Sequence, residues 1–298
     1  MDDLPLAMHT MRRQRTIGRR ATVAGFGYWS GRDVCLEFRP AEAGTGIVFV
    51  RGDLKGCPRI PALVARRLEA PRRTSLRCGT AGVDMVEHVL AALAGLQIDN
   101  CEVWADEPEM PGCDGSAMPF VAALQSAGIV AQQSPRPRCV VCEVIRLGDE
   151  RSWIEARPVA SAPPVLRYQL DYGLDGPIGR QTFEIALTPE SFCTELAPCR
   201  TFVLKAEADQ LHAQGLGRRA TFRDLLVFGD DGPIDNHQRF PDECVRHKLV
   251  DMVGDLALAG CDLIGRFTAY RSGHRLNAEL VGTLLAQTEI VRQWRHCA

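Results

Sequence analysis

Three groups of ionisable residues carry the chemistry that this chain could perform. The first is Glu87-His88, at the start of an apolar helical stretch. Neighbouring residues of a helix point about 100° apart, so one can bind a metal ion while the other stands beside it. The pair also fits an exposed first-turn carboxylate, favoured by the helix dipole, next to a partly buried imidazole. The second group is His247-Lys248 followed by Asp251 and Asp255. His247, Asp251 and Asp255 step by four and lie along one helix face. Leu249, Val250, Met252, Val253 and Leu256 fill the other faces, so this helix is expected to be buried. A histidine and two aspartates on a buried face need a metal, pairing or hydrogen bonds; a solvated, ion-paired face is the alternative. The third group is Ser272-Gly273-His274, expected on a loop after a strand. Catalytic groups are common there, although most lone loop histidines have no such role.

Together, His88, His247 and Asp251 offer two imidazoles and one carboxylate, the donor set of a catalytic zinc site with one position left for water. Glu87 then becomes a general base beside a ligand. His274 becomes a candidate acid, with Asp255 accepting its other N–H.

Composition narrows the field. The 298 residues are 46% hydrophobic and 24% charged, with 27 Gly and 18 Pro, which fits a globular chain and not a disordered, collagen-like or coiled-coil one. A net charge of −2 implies no field suited to nucleic acid. Twelve Cys outnumber seven His, yet the one Cys-x-x-Cys, Cys139-Val140-Val141-Cys142, lies in an apolar run and is not repeated. That is no zinc framework; buried, reduced thiols in a cytoplasmic protein are expected. A cysteine hydrolase built on Cys199 or Cys244 lacks a histidine-paired motif. Asp2 and Asp3, with no apolar run behind them, do not read as a signal peptide. No stretch approaches the roughly 18 apolar residues of a membrane span. Of only three lysines, Lys55, Lys205 and Lys248, the last falls inside the second group.

The elements that must position these residues emerge from periodicity. Residues 1–13 read as a loose tail. Strands are expected at 16–23, 34–38, 47–51 and 100–104, a helix at 85–96 with Asp84 as its cap, and a second helix after Asp114-Gly115-Ser116. Residues 132–138, with two prolines and no apolar side chain, read as a linker. Strands are expected again at 139–145, 153–156, 166–172, 181–185 and 266–270. Helices are expected at 189–193, 205–214 and 277–286, continuing to 294, with the longest helical pattern at 242–259. Both halves run strands, helix, strand, helix. The fold class is therefore α+β, with two domains of similar plan, 14–135 and 136–298.

The chain resembles the UDP-3-O-acyl-N-acetylglucosamine deacetylase family, the zinc amidases of lipid A biosynthesis. The resemblance rests on Gln14-Arg15-Thr16, Val86-Glu87-His88, Ala91-Ala92-Leu93-Ala94-Gly95-Leu96, Ile98 and Asn100. It continues with Pro108-Glu109-Met110-Pro111, Asp114-Gly115-Ser116-Ala117 and Pro119-Phe120. In the second half it rests on Arg200-Thr201-Phe202, Gly215-Leu216, Val245-Arg246-His247-Lys248 with Asp251, Gly254-Asp255-Leu256, Ile264-Gly265 and Ser272-Gly273-His274. It implies two β-α-α-β domains whose helical layers sandwich together, with the active site at their interface. It also implies Zn2+ on His88, His247 and Asp251, and Glu87 as the group that activates water. Thr201 would help to stabilise the oxyanion. His274, supported by Asp255, would protonate the departing amine. Lys248 would meet a phosphate or carbonyl oxygen, Phe202 would pack on the sugar ring, and Tyr172 could stack on uracil. The implied partner is a small nucleotide sugar with an acyl chain. No nucleic acid, stable membrane insertion or particular oligomeric partner is implied.

The chain also departs from the family pattern. Trp29 stands where a histidine is usual, and the segment 72–83 is short and divergent. Gly217-Arg218-Arg219-Ala220-Thr221 replaces a small, Gly-rich stretch near the acyl passage, and Arg223-Asp224 replaces an Asn-Ala pair. The Asn-His-Pro stretch near Tyr172 is absent. Two arginines in an apolar passage are costly unless they turn outward. These departures leave room for a deacetylase of another N-acetylated amino sugar, nucleotide-linked or free, and for a non-catalytic nucleotide-sugar binder.

Overall fold

The computed structural model describes residues 11–159, 163–174 and 176–296, with side chains to residue 287. Two five-stranded mixed sheets share one plan. In spatial order the first holds Ala21–Phe26, Asp33–Pro40, Cys101–Ala105, Ile47–Arg51 and Arg59–Pro61. The second holds Ile145–Gly148, Trp153–Arg157, Arg266–Tyr270, Val165–Asp171 and Arg180–Ala186. In each, the central strand is antiparallel to one neighbour and parallel to the other. The helices are α1 (Glu87–Gly95), α2 (Met118–Ala127), α3 (Pro189–Ser191), α4 (Lys205–Ala213), α5 (Glu243–Leu256) and α6 (His274–His296).

A parallel pair requires a long crossover. The first crossover carries α1, and the second carries α5 at the equivalent place. The central strands then lead on to α2 and α6 respectively. The sequence supports these roles. Val165–Asp171 alternates buried and half-buried positions, as a strand covered on one face should. α1 is rich in Ala and Leu, strong helix formers, and nearly every residue in it is buried, as in a helix enclosed on all sides. α1 packs on α2 and on α5, while α5 also packs on α6 and on the strands Val165–Asp171 and Arg180–Ala186.

The α1–α5 crossing depends on Gly254. A Cβ at that position would lie 2.0 Å from the carbonyl oxygen of Glu87 and 3.0 Å from its Cα. Both atoms belong to backbone, so neither can swing away.

The structure corrects several expectations. Residues 1–10 of the expected tail lie outside the described residues, but Arg12 is tied down by Asp99 at 2.7 Å and Asp262 at 2.6 Å, and a strand begins at Arg13. The expected strand at 16–23 breaks between Ile17 and Ala21. Asp84 ends the strand Ala81–Asp84 and does not cap α1; it accepts a hydrogen bond from Ser75, and Met85 turns the chain with φ +59°. Residues 132–135 of the expected linker belong to the strand Ile129–Pro135, paired with Arg13–Ile17. Gln132 is fixed there by bonds with Asn100 and Ala41, and Pro135 is tolerated at the strand's end. The longest helix is α6, not α5. No helix of the described residues is long and apolar enough to cross a membrane.

Replacing Gly254 with alanine should cost about 1–3 kcal/mol or more, the range of overpacking in a filled core. Denaturant unfolding checks this, and an unchanged midpoint would contradict the packing role.

Candidate active site

His88 comes from the first turn of α1, and His247 and Asp251 come from one face of α5. Their crossing brings His88 Nε2 to 3.1 Å from His247 Nε2 and 3.4 Å from Asp251 Oδ1. Asp251 Oδ1 lies 3.7 Å from His247 Nε2. A tetrahedral ion with bonds of about 2.0–2.1 Å sets its donor atoms roughly 3.3 Å apart. The three side chains, all nearly buried, could therefore hold a metal ion.

Electrostatics supports this donor set. Burial holds the His247 imidazolium form down to a pKa of about 3, so the ring is neutral and keeps a lone pair to donate. Burial opposes charge on Asp251, but the Lys248 ammonium and a hydrogen bond with His88 outweigh it and hold the carboxyl well below the usual range. The Lys248 ammonium donates to Asp251 Oδ2, leaving Oδ1 to face the histidines. Burial also opposes charge on Lys248, and Asp251 and the Tyr168 phenol hold its pKa up. Lys248 lines the cavity over the crossing, with its amine already engaged by the aspartate.

Glu87 lies at the same crossing. Its Oε2 accepts the Thr74 N–H at 2.9 Å, and burial raises its pKa against the pull of His274 and His88. His274 is the first residue of α6, not a loop residue; the Asn277 N–H closes that first turn on the Gly273 carbonyl. His274 Nδ1 donates to Asp255 Oδ2 at 2.9 Å. Burial works against the imidazolium, but Asp255 and Glu87 raise the His274 pKa to about 9. Asp255 is fully buried and accepts two further bonds, from Asn277 Nδ2 at 2.8 Å and from Thr74 Oγ1 at 2.6 Å. Asn277 is fixed in turn by Ser272 Oγ at 2.8 Å.

Thr201 Oγ1 sits 3.1 Å from His247 Nε2 and 3.2 Å from the Gly115 carbonyl. Gly115 is the turn of the Asp114-Gly115-Ser116 motif, with φ +81°. The buried Arg200–Glu243 pair, 2.8 Å apart, anchors the residue before Thr201 to the first turn of α5. Phe202 meets His247 edge-on at 5.8 Å between centroids and Tyr172 at 5.9 Å. All of the sequence-predicted site groups except Asp255 line one cavity of about 1580 Å³. Trp29 lines it too, under the Arg73 guanidinium at 5.0 Å. Neither Arg218 nor Arg219 lines it. Arg219 bonds Asp33 at 2.6 Å and lies over the Phe26 ring.

The crossing thus joins every ligand, base and acid expected from the sequence. Sequence reasoning missed Thr74 and Asn277 as working parts of the site, since neither has a recognisable chemical motif of its own, and it named Ser272 only as part of the Ser272-Gly273-His274 group. The cysteines among the described residues stay outside the site chemistry. Cys101, Cys199 and Cys244 are buried, and burial pushes Cys101 up to about 12 and the other two upward as well. Such thiols are poor nucleophiles.

An α+β fold that gathers a two-histidine, one-carboxylate cluster, a second buried carboxylate and a carboxylate-backed imidazole has the parts of a metal-assisted amidohydrolase. A model of the UDP-3-O-acyl N-acetylglycosamine deacetylase family matches residues 14–286. Curated relatives from Brucella ovis and Brucella abortus, each named UDP-3-O-acyl-N-acetylglucosamine deacetylase, are 40% identical over 276 residues. The match covers 92% of this chain and 95% of each relative. The chain belongs to the UDP-3-O-acyl N-acetylglycosamine deacetylase family.

The His274 imidazole should titrate near 9, and Asp255→Asn should lower that value by removing the charge that holds the proton. Because the folded value lies above the ordinary histidine value of about 6.5, this pair stabilises the fold fully below that pH. Its contribution is lost as pH rises through about 9. NMR titration of the ring protons in both proteins checks the assignment, and equal values in the two would refute it.

Proposed function

We propose that this chain hydrolyses the N-acetyl group of UDP-3-O-acyl-N-acetylglucosamine and releases acetate, a step of lipid A biosynthesis. The observation that carries the reading is the convergence of His88, His247 and Asp251 on one point, with Glu87 and His274 on the same cavity. The cavity volume of about 1580 Å³ exceeds the roughly 300–1,000 Å³ of ordinary small-ligand pockets, so it has room for a substrate of several parts. We read residues 14–135 and 136–298 as the two domains that enclose it. The buried thiols favour a reducing compartment, the cytoplasm.

The donor set suits Zn2+, which when bound polarises the amide carbonyl and makes water a nucleophile near neutral pH. Glu87 takes a proton from the attacking water on its carboxylate. The Thr201 hydroxyl turns its single proton from the Gly115 carbonyl to the substrate carbonyl oxygen as negative charge develops there. The His274 imidazolium, held by Asp255 at Nδ1, presents Nε2 to the departing nitrogen and gives it the proton. Water and amide become acetate and a protonated amine, the acid proton of the product passing to the amine, and Glu87 passes its own proton to His274 to reset the pair. Phe202 and Tyr172 form an apolar wall for the sugar and base, and Lys248 adds positive charge beside it.

An acetate-release assay with the acylated and unacylated UDP sugars tests the reading. Turnover on the acylated sugar, lost to a chelator and restored by zinc, is expected. Glu87→Ala should lower kcat by at least about 100-fold, the scale of general-base catalysis, while bound metal by elemental analysis stays the same. Turnover on the unacylated sugar alone would replace this substrate with another amino sugar. A wild-type rate in Glu87→Ala would remove Glu87 as the base.

A further inference from the structure

We infer that Thr74 is a positioning residue that locks the proposed base and the partner of the proposed acid into one geometry. The inference rests on the deacetylase reading above and adds a residue to it. Thr74 is completely buried, just before the strand Ser75–Cys78. Its N–H donates to Glu87 Oε2 at 2.9 Å, and its hydroxyl donates to Asp255 Oδ1 at 2.6 Å. Its carbonyl accepts the Val86 N–H at 3.2 Å, at the entrance to α1. One residue thus spans the start of α1 and the far end of α5.

Each bond has a distinct consequence. Glu87 has a flexible side chain and sits near the His274 imidazolium, which attracts it. A backbone donor cannot rotate away, so Thr74 fixes Oε2 and leaves Oε1 as the oxygen to take a proton. Asp255 Oδ2 already serves His274 Nδ1 and Asn277 Nδ2. Oδ1 has Thr74 Oγ1 as its side-chain donor. Without that hydroxyl, a buried carboxylate oxygen lacks its partner, and the cheapest relief is to rotate the carboxylate. Rotation moves Oδ2 away from His274. Thr74 therefore acts through Glu87 and Asp255 and needs no contact with substrate.

Thr74→Ser keeps both donors, whereas Thr74→Val keeps the shape and the N–H and removes only the hydroxyl. The metal-loaded full chain would be assayed for kcat, KM and bound metal. The downfield resonance of the His274 Nδ1–H, assigned by its loss in His274→Ala, would be recorded in parallel. Thr74→Val should lower kcat about 10- to 100-fold, the range for a lost hydrogen bond to a buried charge. KM should stay within about threefold, since no substrate contact is removed. Metal content should be unchanged and the His274 resonance shifted or lost. Thr74→Ser should match wild type in all four. A wild-type kcat in Thr74→Val, a change confined to KM, or an equal loss in Thr74→Ser would overturn the inference. If the wild-type chain releases no acetate, the deacetylase reading fails by itself, and the His274 resonance decides whether Thr74 holds Asp255; an unmoved resonance in Thr74→Val overturns it. If Thr74→Val does not fold, Thr74→Ala takes its place with the same readings.

Discussion

The backbone of α1 rests directly on the backbone of α5 where Glu87 meets Gly254. Helix axes usually stand 8–10 Å apart because side chains keep them there; with no side chain at Gly254, contact is closer. The proposed ligands, base and acid partner gather around that contact. Glu87 and His88 are at it, Asp255 is beside Gly254, and Asp251 and His247 are one and two turns back along α5. Small errors in placing reacting groups cost large factors in rate. Two enclosed helices can hold such tolerances where loops would not.

The charge balance of this crossing suits a cation. Glu87, Asp251 and Asp255 are three buried carboxylates within it. Against them stand the Lys248 ammonium and the His274 imidazolium, while His247 is kept neutral by burial. With every carboxylate ionised, the set is short of positive charge. Two responses are available, and both are visible. Glu87 has a raised pKa, as an underpaired buried acid should. The two Nε2 atoms and Asp251 Oδ1 also converge in the spacing of a metal site. A dication there would relieve the shortage and favour the ionised form of Glu87, coupling metal binding to the state of the base.

Much of this was legible in the sequence because helical spacing carries geometry. His247, Asp251 and Asp255 step by four, so their shared face is dictated by α5 alone. Glu87-His88 is legible for the same reason. What joins the two sets is tertiary, and periodicity within either helix cannot reveal it; the complementary donor types suggest the pairing, and the family resemblance implies the same set. Strands such as Ile47–Arg51 and Arg266–Tyr270 were readable from their apolar runs, whereas Arg59–Pro61 and Phe202–Leu204 are too short to show a period. Thr74 was hidden most deeply. It lies in 72–83, a segment notable only for divergence, and one of its two key donors is a backbone N–H, which no side-chain pattern encodes. His274 was read as a loop residue because Ser272-Gly273 breaks the pattern, and its helical start depends on a backbone bond to Gly273.

The shared plan of the two sheets adds a constraint on how such a site can be built. α1 and α5 occupy equivalent crossovers, yet they contribute unlike groups: one proposed ligand and the proposed base from α1, two proposed ligands and the partner of the proposed acid from α5. Neither crossover can assemble the site alone, since an isolated helix could not bring His88 to 3.1 Å from His247. The equivalence extends to the segment after each central strand. The second sheet leads into Ser272-Gly273-His274 and α6. The first leads into Asp114-Gly115-Ser116 and α2, where the Gly115 carbonyl receives Thr201. Both segments therefore end at the crossing, one with an imidazole and the other with a carbonyl that sets a hydroxyl in place. Packing encloses the crossing on the side away from the cavity, and the low local dielectric there strengthens each of these charge-assisted bonds. The same enclosure makes their loss expensive, so the geometry of the site and the stability of the fold rest on the same contacts.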